Sequence, residues 1–235
     1  MTLIDSLIKE GWLKTPRIIE AFREIKRFDF LPQEIKDLAE LNEALSIGYG
    51  QTISQPLVVA FMLELLQPQP GDKILDIGSG SGWTTALLAQ IVGQKGKVIA
   101  IDIIPELVEF GKQNVAKYNF IEKGLPAACL PDRQGRQGIV EFICADGSKG
   151  YKKEAPYDKI LASASAETLP PVWKEQLKIG GRIVTPIGSS IWLFIKKSEG
   201  DEAVVSSSPS LLRGKSSVFQ ETEYPGFVFV PLIEK

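Results

Sequence analysis

The chain has 235 residues, 44% of them hydrophobic and 24% charged, with 27 lysines and arginines against 29 acids and no histidine. That size suits one α/β domain with small appendages, and the near-balanced charge leaves no footprint for a phosphate backbone, so nucleic acid is not expected as a partner. The lack of histidine excludes a Ser-His-Asp triad and removes the commonest metal ligand, so no metal site is expected.

The opening MTLIDSLIKEGWLK has no basic flank followed by an apolar run, and so does not read as a signal peptide. Residues 15–27, TPRIIEAFREIKR, predict a helix with Thr15 as N-cap, Pro16 in the first turn, and Ile18, Ile19, Phe22 and Ile25 at helical spacing. Residues 28–52 read as irregular, ending in the Gly-rich IGYGQT. A second helix is expected from Ser54-Gln55-Pro56 to Leu66, with Ser54 as N-cap. Its apolar stretch, Leu57 to Leu66, is broken by Glu64 and falls well short of the ~20 residues that cross a bilayer.

After the turn-rich QPQPGDK the pattern changes. KILDIG (73–78), KVIAID (97–102), IVEFIC (139–144), YDKILAS (157–163) and GRIVTPIG (181–188) read as strands. WTTALLAQIVG (83–93), PELVEFGKQNVAKY (105–118) and PPVWKEQL (170–177) read as helices between them. Such alternation predicts an α/β fold, a Rossmann-like doubly wound and mostly parallel sheet. Residues 119–138 read as an inserted loop, the Ser-rich 198–217 as a mobile surface connection, and GFVFVPL (226–232) as a final edge strand. The expected organisation is a single domain: an N-terminal helical extension over 1–70, a core over 71–190 and C-terminal strands over 191–235. Cys129 and Cys144 form no CxxC pair, so a reduced, cytoplasmic protein without membrane attachment is expected.

The sharpest local feature is LDIGSGSGW (75–83), a buried strand running into Gly78, Gly80 and Gly82 and then a helix. Glycines there permit positive φ and let a ligand approach the backbone, beyond the carboxyl end of a strand where open α/β sheets bind nucleotides. A dinucleotide loop wants a third glycine at position 83, which is Trp. Asp76, in the strand, suits a cationic ligand, either by holding the loop or by contacting an ammonium. Asp102 ends the next strand, in position to accept from a ribose diol. Together they favour S-adenosyl-L-methionine over a nicotinamide dinucleotide, with a plain Gly-rich turn as the bland alternative. Asp146, before Gly147, reads equally as an adenine contact or a turn cap.

The segment IGYGQTISQP (47–56) is not needed by a general methyltransferase core. It resembles the substrate-side signature of the protein-L-isoaspartate O-methyltransferases. The resemblance continues through 65–89, IAIDIIPELV (99–108), ADG (145–147), APYDKILASAS (155–165), 169–188 and FVPL (229–232). It spans about residue 15 to the end, apart from roughly 119–138 and 198–217. It implies methyl transfer from S-adenosylmethionine to the carboxylate of L-isoaspartyl residues in damaged proteins, with the ester then closing to a succinimide. Carried over by residue, it implies Ser54 beside the donor methyl and the acceptor, with Thr52, Ile53 and Tyr49 shaping that wall. Gly78, Gly80 and Asp102 would hold the cofactor, with Asp76 and Gly82 added from the residue pattern of the loop, and Asp146 with Gly147 would bracket the adenine. The chain departs from the family at Tyr49, where many relatives have His, at Leu57, and at Ser163-Ala164-Ser165 in place of a run of alanines.

A carboxylate acceptor has a reference pKa near ~4 and is ionised at neutral pH, so the implied reaction needs no general base and tolerates a chain without histidine. On residues alone, Ser54 before Gln-Pro reads as a helix cap, a role that competes for the same oxygen. Trp83 and Trp173 are expected in packing roles, Trp83 also flanking the cofactor. Two other readings keep the cofactor: a methyltransferase with a different acceptor, and a non-catalytic S-adenosylmethionine-binding protein. The sequence leaves the oligomeric state open.

Overall fold

The computed structural model describes residues 2–121, 138–198 and 218–233. Helix α1 (Leu3–Lys9) opens with a capping box in which Thr2 and Asp5 satisfy each other's backbone N–H groups. Helix α2 (Pro16–Glu24) buries Ile18, Ala21 and Phe22. The chain entering it is held by Glu64, whose Oε1 accepts from Lys14 N and Thr15 N at 2.8 Å each, while Thr15 Oγ1 donates to Oε2 at 2.7 Å. Thr15 thus occupies the cap position without capping through its own side chain. Two 3-10 turns, Arg27–Phe30 and Gln33–Leu38, lead into a short antiparallel hairpin of β1 (Leu45–Gly48) and β2 (Gln51–Ile53).

Helix α3 (Pro56–Leu66) then leads to β3 (Lys73–Ile77), α4 (Trp83–Val92), β4 (Lys97–Asp102) and α5 (Pro105–Ala116). The remaining elements are β5 (Val140–Cys144), β6 (Tyr157–Ala162), α6 (Pro171–Gln176), β7 (Leu177–Ile187), β8 (Ser190–Lys196) and β9 (Phe219–Pro225). Seven strands make one sheet in the order β5-β4-β3-β6-β7-β8-β9, parallel from β5 to β7 and antiparallel beyond. The expected doubly wound α/β fold is therefore observed. Alternate residues explain why its strands read as continuous apolar runs: Ile74, Val98 and Leu161 pack on one face with α2, α3 and α4, and Leu75, Ile99 and Ile160 pack on the other with Trp173.

Three expectations are corrected. The irregular stretch 28–52 contains the hairpin, whose strands of four and three residues are too short for alternation to register. Its turn puts Tyr49 at φ 56° and Gly50 at φ 70°, as a tight hairpin turn requires, and at a cost in strain for a bulky residue. The edge strand is β9, not 226–232; its outward glutamates suit a sheet edge. Pro225 and Gly226 (φ 97°) turn the chain off that edge, and 226–232 keeps one isolated bridge, Pro231 to Ser165. Ser54 is not the cap of α3, for reasons given below. Residues 122–137 of the expected insertion, Cys129 among them, and 199–217 of the Ser-rich connection lie outside the described residues. No helix among the described residues is long and apolar enough to cross a membrane.

Candidate active site

At the carboxyl ends of β3, β4 and β6, where the chain switches from one half of the sheet to the other, lies a crevice of about 310 Å³. The glycine loop forms its floor. Gly78 N and Ser79 N donate to the Ile101 carbonyl at 2.8 and 3.0 Å, tying the loop to β4. Gly78, Gly80 and Gly82 all have positive φ. Gly82 does not line the crevice. A Cβ there would stand 2.9 Å from both the Gly111 carbonyl oxygen and Val115 Cγ2, so this glycine lets α4 and α5 approach. Gly147 does line it, and is pressed so close to β3 that a Cβ would meet Ile77 Cγ2 at 2.4 Å. Trp173 Nε1 holds that turn by donating to the Gly147 carbonyl at 2.9 Å.

Two carboxylates sit at the loop with different duties. Asp102 lines the crevice. Its Oδ2 accepts from Gly80 N at 2.8 Å and its Oδ1 from Ile104 N at 3.0 Å. Each oxygen keeps a further lone pair for a ligand hydroxyl. Burial pushes its pKa up, opposed by those backbone N–H groups. Asp76 lies fully buried behind the wall. Its Oδ2 accepts from Thr85 Oγ1 at 2.6 Å, and its Oδ1 has no partner among the described residues. Burial pushes the Asp76 pKa up to about 7; the Thr85 hydrogen bond opposes the rise and the nearby Asp102 charge adds to it.

The opposite wall is assembled from distant segments. Thr52, Ile53 and Ser54 line it from the end of β2. The cap position of α3 is Gln55, and its side chain makes no capping bond. Asn42 does that work from 15 residues upstream: its Oδ1 accepts from Leu57 N at 3.0 Å, and its carbonyl accepts from Gln55 Nε2 at 2.9 Å. The Ser54 hydroxyl has no hydrogen-bond partner among the described residues, so capping makes no claim on it. The C-terminal tail closes this side. Ser165 N donates to Val230 O and Leu232 N to Ser165 O, both at 2.8 Å, and Phe227 stacks on Phe61 at 5.4 Å. Residues 228–233 therefore line the crevice instead of extending the sheet.

The structure thus gathers Ser54, Thr52, Ile53, Gly78, Gly80, Asp102 and Gly147 around one space. Tyr49 stands apart at the hairpin tip, 60% exposed. Asp146 also lies off the lining: its Oδ1 caps the turn by accepting from Ser148 N at 3.0 Å and Ser148 Oγ at 2.7 Å, while its Oδ2 pairs with Lys149 at 3.1 Å. Asn42 is a contributor that shows no motif, and the tail, although its FVPL belongs to the resemblance, reads locally as a strand and not as a wall of the crevice.

The donor set fits S-adenosylmethionine. Among the described residues the lining holds one charged side chain, Asp102, and no lysine or arginine. That suits a ligand carrying positive charge and opposes a pyrophosphate. Ser79 Oγ and Trp83 Nε1, both on lining residues, are buried without a hydrogen-bond partner among the described residues. Each such atom costs about 1–3 kcal/mol until a polar ligand satisfies it. No group of three or more acids or cysteines able to hold a metal occurs among the described residues.

Fold and crevice together define a class: a Rossmann-like methyltransferase. The family model described as Protein-L-isoaspartate(D-aspartate) O-methyltransferase (PCMT) matches residues 1–210, and the chain belongs to that family. It is 36% identical to the Protein-L-isoaspartate O-methyltransferase of Methanopyrus kandleri over 235 residues, covering 98% of this chain and 89% of the relative. It is 43% identical to Protein-L-isoaspartate O-methyltransferase 2 of Archaeoglobus fulgidus over 184 residues, covering 78% and 76%. In fold it is similar to a Plasmodium falciparum protein-L-isoaspartate O-methyltransferase crystallised with S-adenosyl-L-homocysteine, at a TM-score of 0.75 and 19% identity, covering 99% and 97%.

Proposed function

We propose that this chain transfers a methyl group from S-adenosylmethionine to the carboxylate of L-isoaspartyl residues in damaged proteins, working in the cytoplasm as a single domain with a substrate-side N-terminal extension. The observation that carries the reading is the pairing, across one crevice, of a cation-free glycine loop with a Ser54 hydroxyl released from capping. S-adenosylmethionine, when bound, supplies an electrophilic methyl on a positive sulfonium. Asp102 would hold the ribose hydroxyls, Gly78 and Gly80 would let the backbone approach, and Gly147 with the Asp146 turn would bound the adenine. Asp76 would face the methionyl ammonium from behind the wall.

The acceptor side needs orientation and no base. An isoaspartyl carboxylate is already ionised at neutral pH. Ser54 Oγ donates to it, and Thr52 and Ile53 wall it in. Alignment of this kind is worth roughly 7–11 kcal/mol of barrier. The methyl ester then loses methanol as the neighbouring backbone nitrogen closes a succinimide, and hydrolysis returns some normal aspartate.

Matched peptides differing only in L-isoaspartate or L-aspartate, incubated with tritiated S-adenosylmethionine, test the reading. Base-labile label is expected on the isoaspartyl peptide alone, and Ser54→Ala should lower turnover by roughly 10- to 100-fold. Label on neither peptide, with S-adenosylhomocysteine still bound, would leave the cofactor half standing and remove the acceptor half.

A further inference from the structure

Arg27 is buried to 6% exposure, yet makes no ion pair among the described residues. Its guanidinium is instead surrounded by carbonyls. Nη1 donates to Ala39 at 3.2 Å and Leu41 at 3.0 Å; Nη2 donates to Glu43 at 2.7 Å and Ser54 at 3.3 Å. Its Cζ lies 5.5 Å from the centroid of the Trp83 ring, which lines the crevice at the head of α4. Burial lowers its pKa only to about 10, so the group stays charged at neutral pH.

A desolvated cation matched by carbonyl dipoles and the Trp83 ring, with Glu40 acting on it without an ion pair, is a poor device for stability; an apolar side chain of similar volume often does as well or better. What it does supply is geometry. The four carbonyls come from both feet of the β1–β2 hairpin: 39–43 lead into it and Ser54 follows it. The hairpin in turn leans on the glycine loop, where a Cβ on Gly80 would stand 3.4 Å from Ile47 Cδ1. Only a planar fork with several N–H groups reaches all four oxygens at once.

We propose that Arg27 is a positioning residue for methyl transfer, clamping both feet of the hairpin so that Ser54 is held against the cofactor crevice. The inference rests on the isoaspartyl reading for its activity test, though not for its structural one.

The full-length chain carrying Arg27→Lys, and separately Arg27→Met, decides it. S-adenosylhomocysteine affinity is expected to stay within about threefold of the parent while kcat on the isoaspartyl peptide falls roughly 10- to 100-fold, because displacement of a positioning group by an ångström has that scale of effect. Lysine should fail to rescue. In a Ser54→Ala background the Arg27→Lys change should cost little more, since the two act in series. Retention of kcat within twofold overturns the proposal, as does strict additivity with Ser54→Ala, or loss of S-adenosylhomocysteine binding in step with turnover. If the parent protein labels neither peptide, the acceptor reading has failed and hydrogen exchange decides instead. Faster exchange at 44–54 in S-adenosylhomocysteine-saturated Arg27→Lys supports the clamp; unchanged exchange there overturns it.

Discussion

The two walls of the crevice are built in opposite ways. The cofactor side comes from one contiguous stretch, β3 through the glycine loop into α4, supplemented by the end of β4. Backbone N–H groups and two carboxylates set its chemistry at short range. The opposite side, where we propose the acceptor binds, joins Asn42, the 52–54 segment and the tail at 228–233, which meet only because helix α3 and the sheet bring them together. A wall written locally fails when its own geometry is altered. One assembled at long range fails when a remote support is removed.

The largest effect is expected at Gly82. Gly82→Ala combines positive φ with a Cβ 2.9 Å from the Gly111 carbonyl oxygen, and should destabilise the fold by about 2–5 kcal/mol in urea unfolding. A loss under ~1 kcal/mol would mean that α4 and α5 can separate and that the glycine is dispensable.

Next comes Asp76. Its folded pKa of about 7 lies above the reference 3.8, so the native protein holds a proton that the unfolded chain releases. Stability from this group is therefore full at low pH and is lost as pH rises between about 4 and 7. Asp76→Asn cannot ionise, and should raise the stability of the ligand-free protein at pH 8 relative to pH 5 by on the order of a few kcal/mol. Parallel pH profiles for parent and variant would show that the buried carboxyl is not proton-linked to folding.

A smaller effect is expected on the acceptor wall. Asn42→Ala should cost about 1 kcal/mol of stability as the cap of α3 is lost, whereas Ser54→Ala should cost under ~0.5 kcal/mol while depressing turnover. The reverse pattern would restore Ser54 to the capping role. The smallest effect belongs to Lys97, whose pairs with Glu141 at 2.9 Å and Glu154 at 3.0 Å are partly exposed and lie away from the crevice. Lys97→Ala should change stability by less than ~1 kcal/mol and leave turnover intact.

The sequence by itself determined the sheet and the loop. A strand buried on both faces needs an unbroken apolar run, so KILDI, KVIAID and YDKILA declare themselves; the GxGxG spacing directly follows the first, and Asp76 and Asp102 lie in the first two. It did not show that 226–232 leaves the sheet, because FVFV is an aromatic and β-branched run that reads as a strand, and only the pairing of β8 with β9 decides which segment holds the edge. Nor did it show that Asn42 takes the cap from Ser54 or that Arg27 gathers four carbonyls, while for Asp146 it left the turn cap and the adenine contact equal. Hydrophobic periodicity and caps act within a turn or two of chain and leave a local trace. Hydrogen bonds such as Arg27 to Ala39, 12 residues on, or Leu232 to Ser165, 67 residues back, leave none, and only the packed tertiary structure, which sets those distances, decides them.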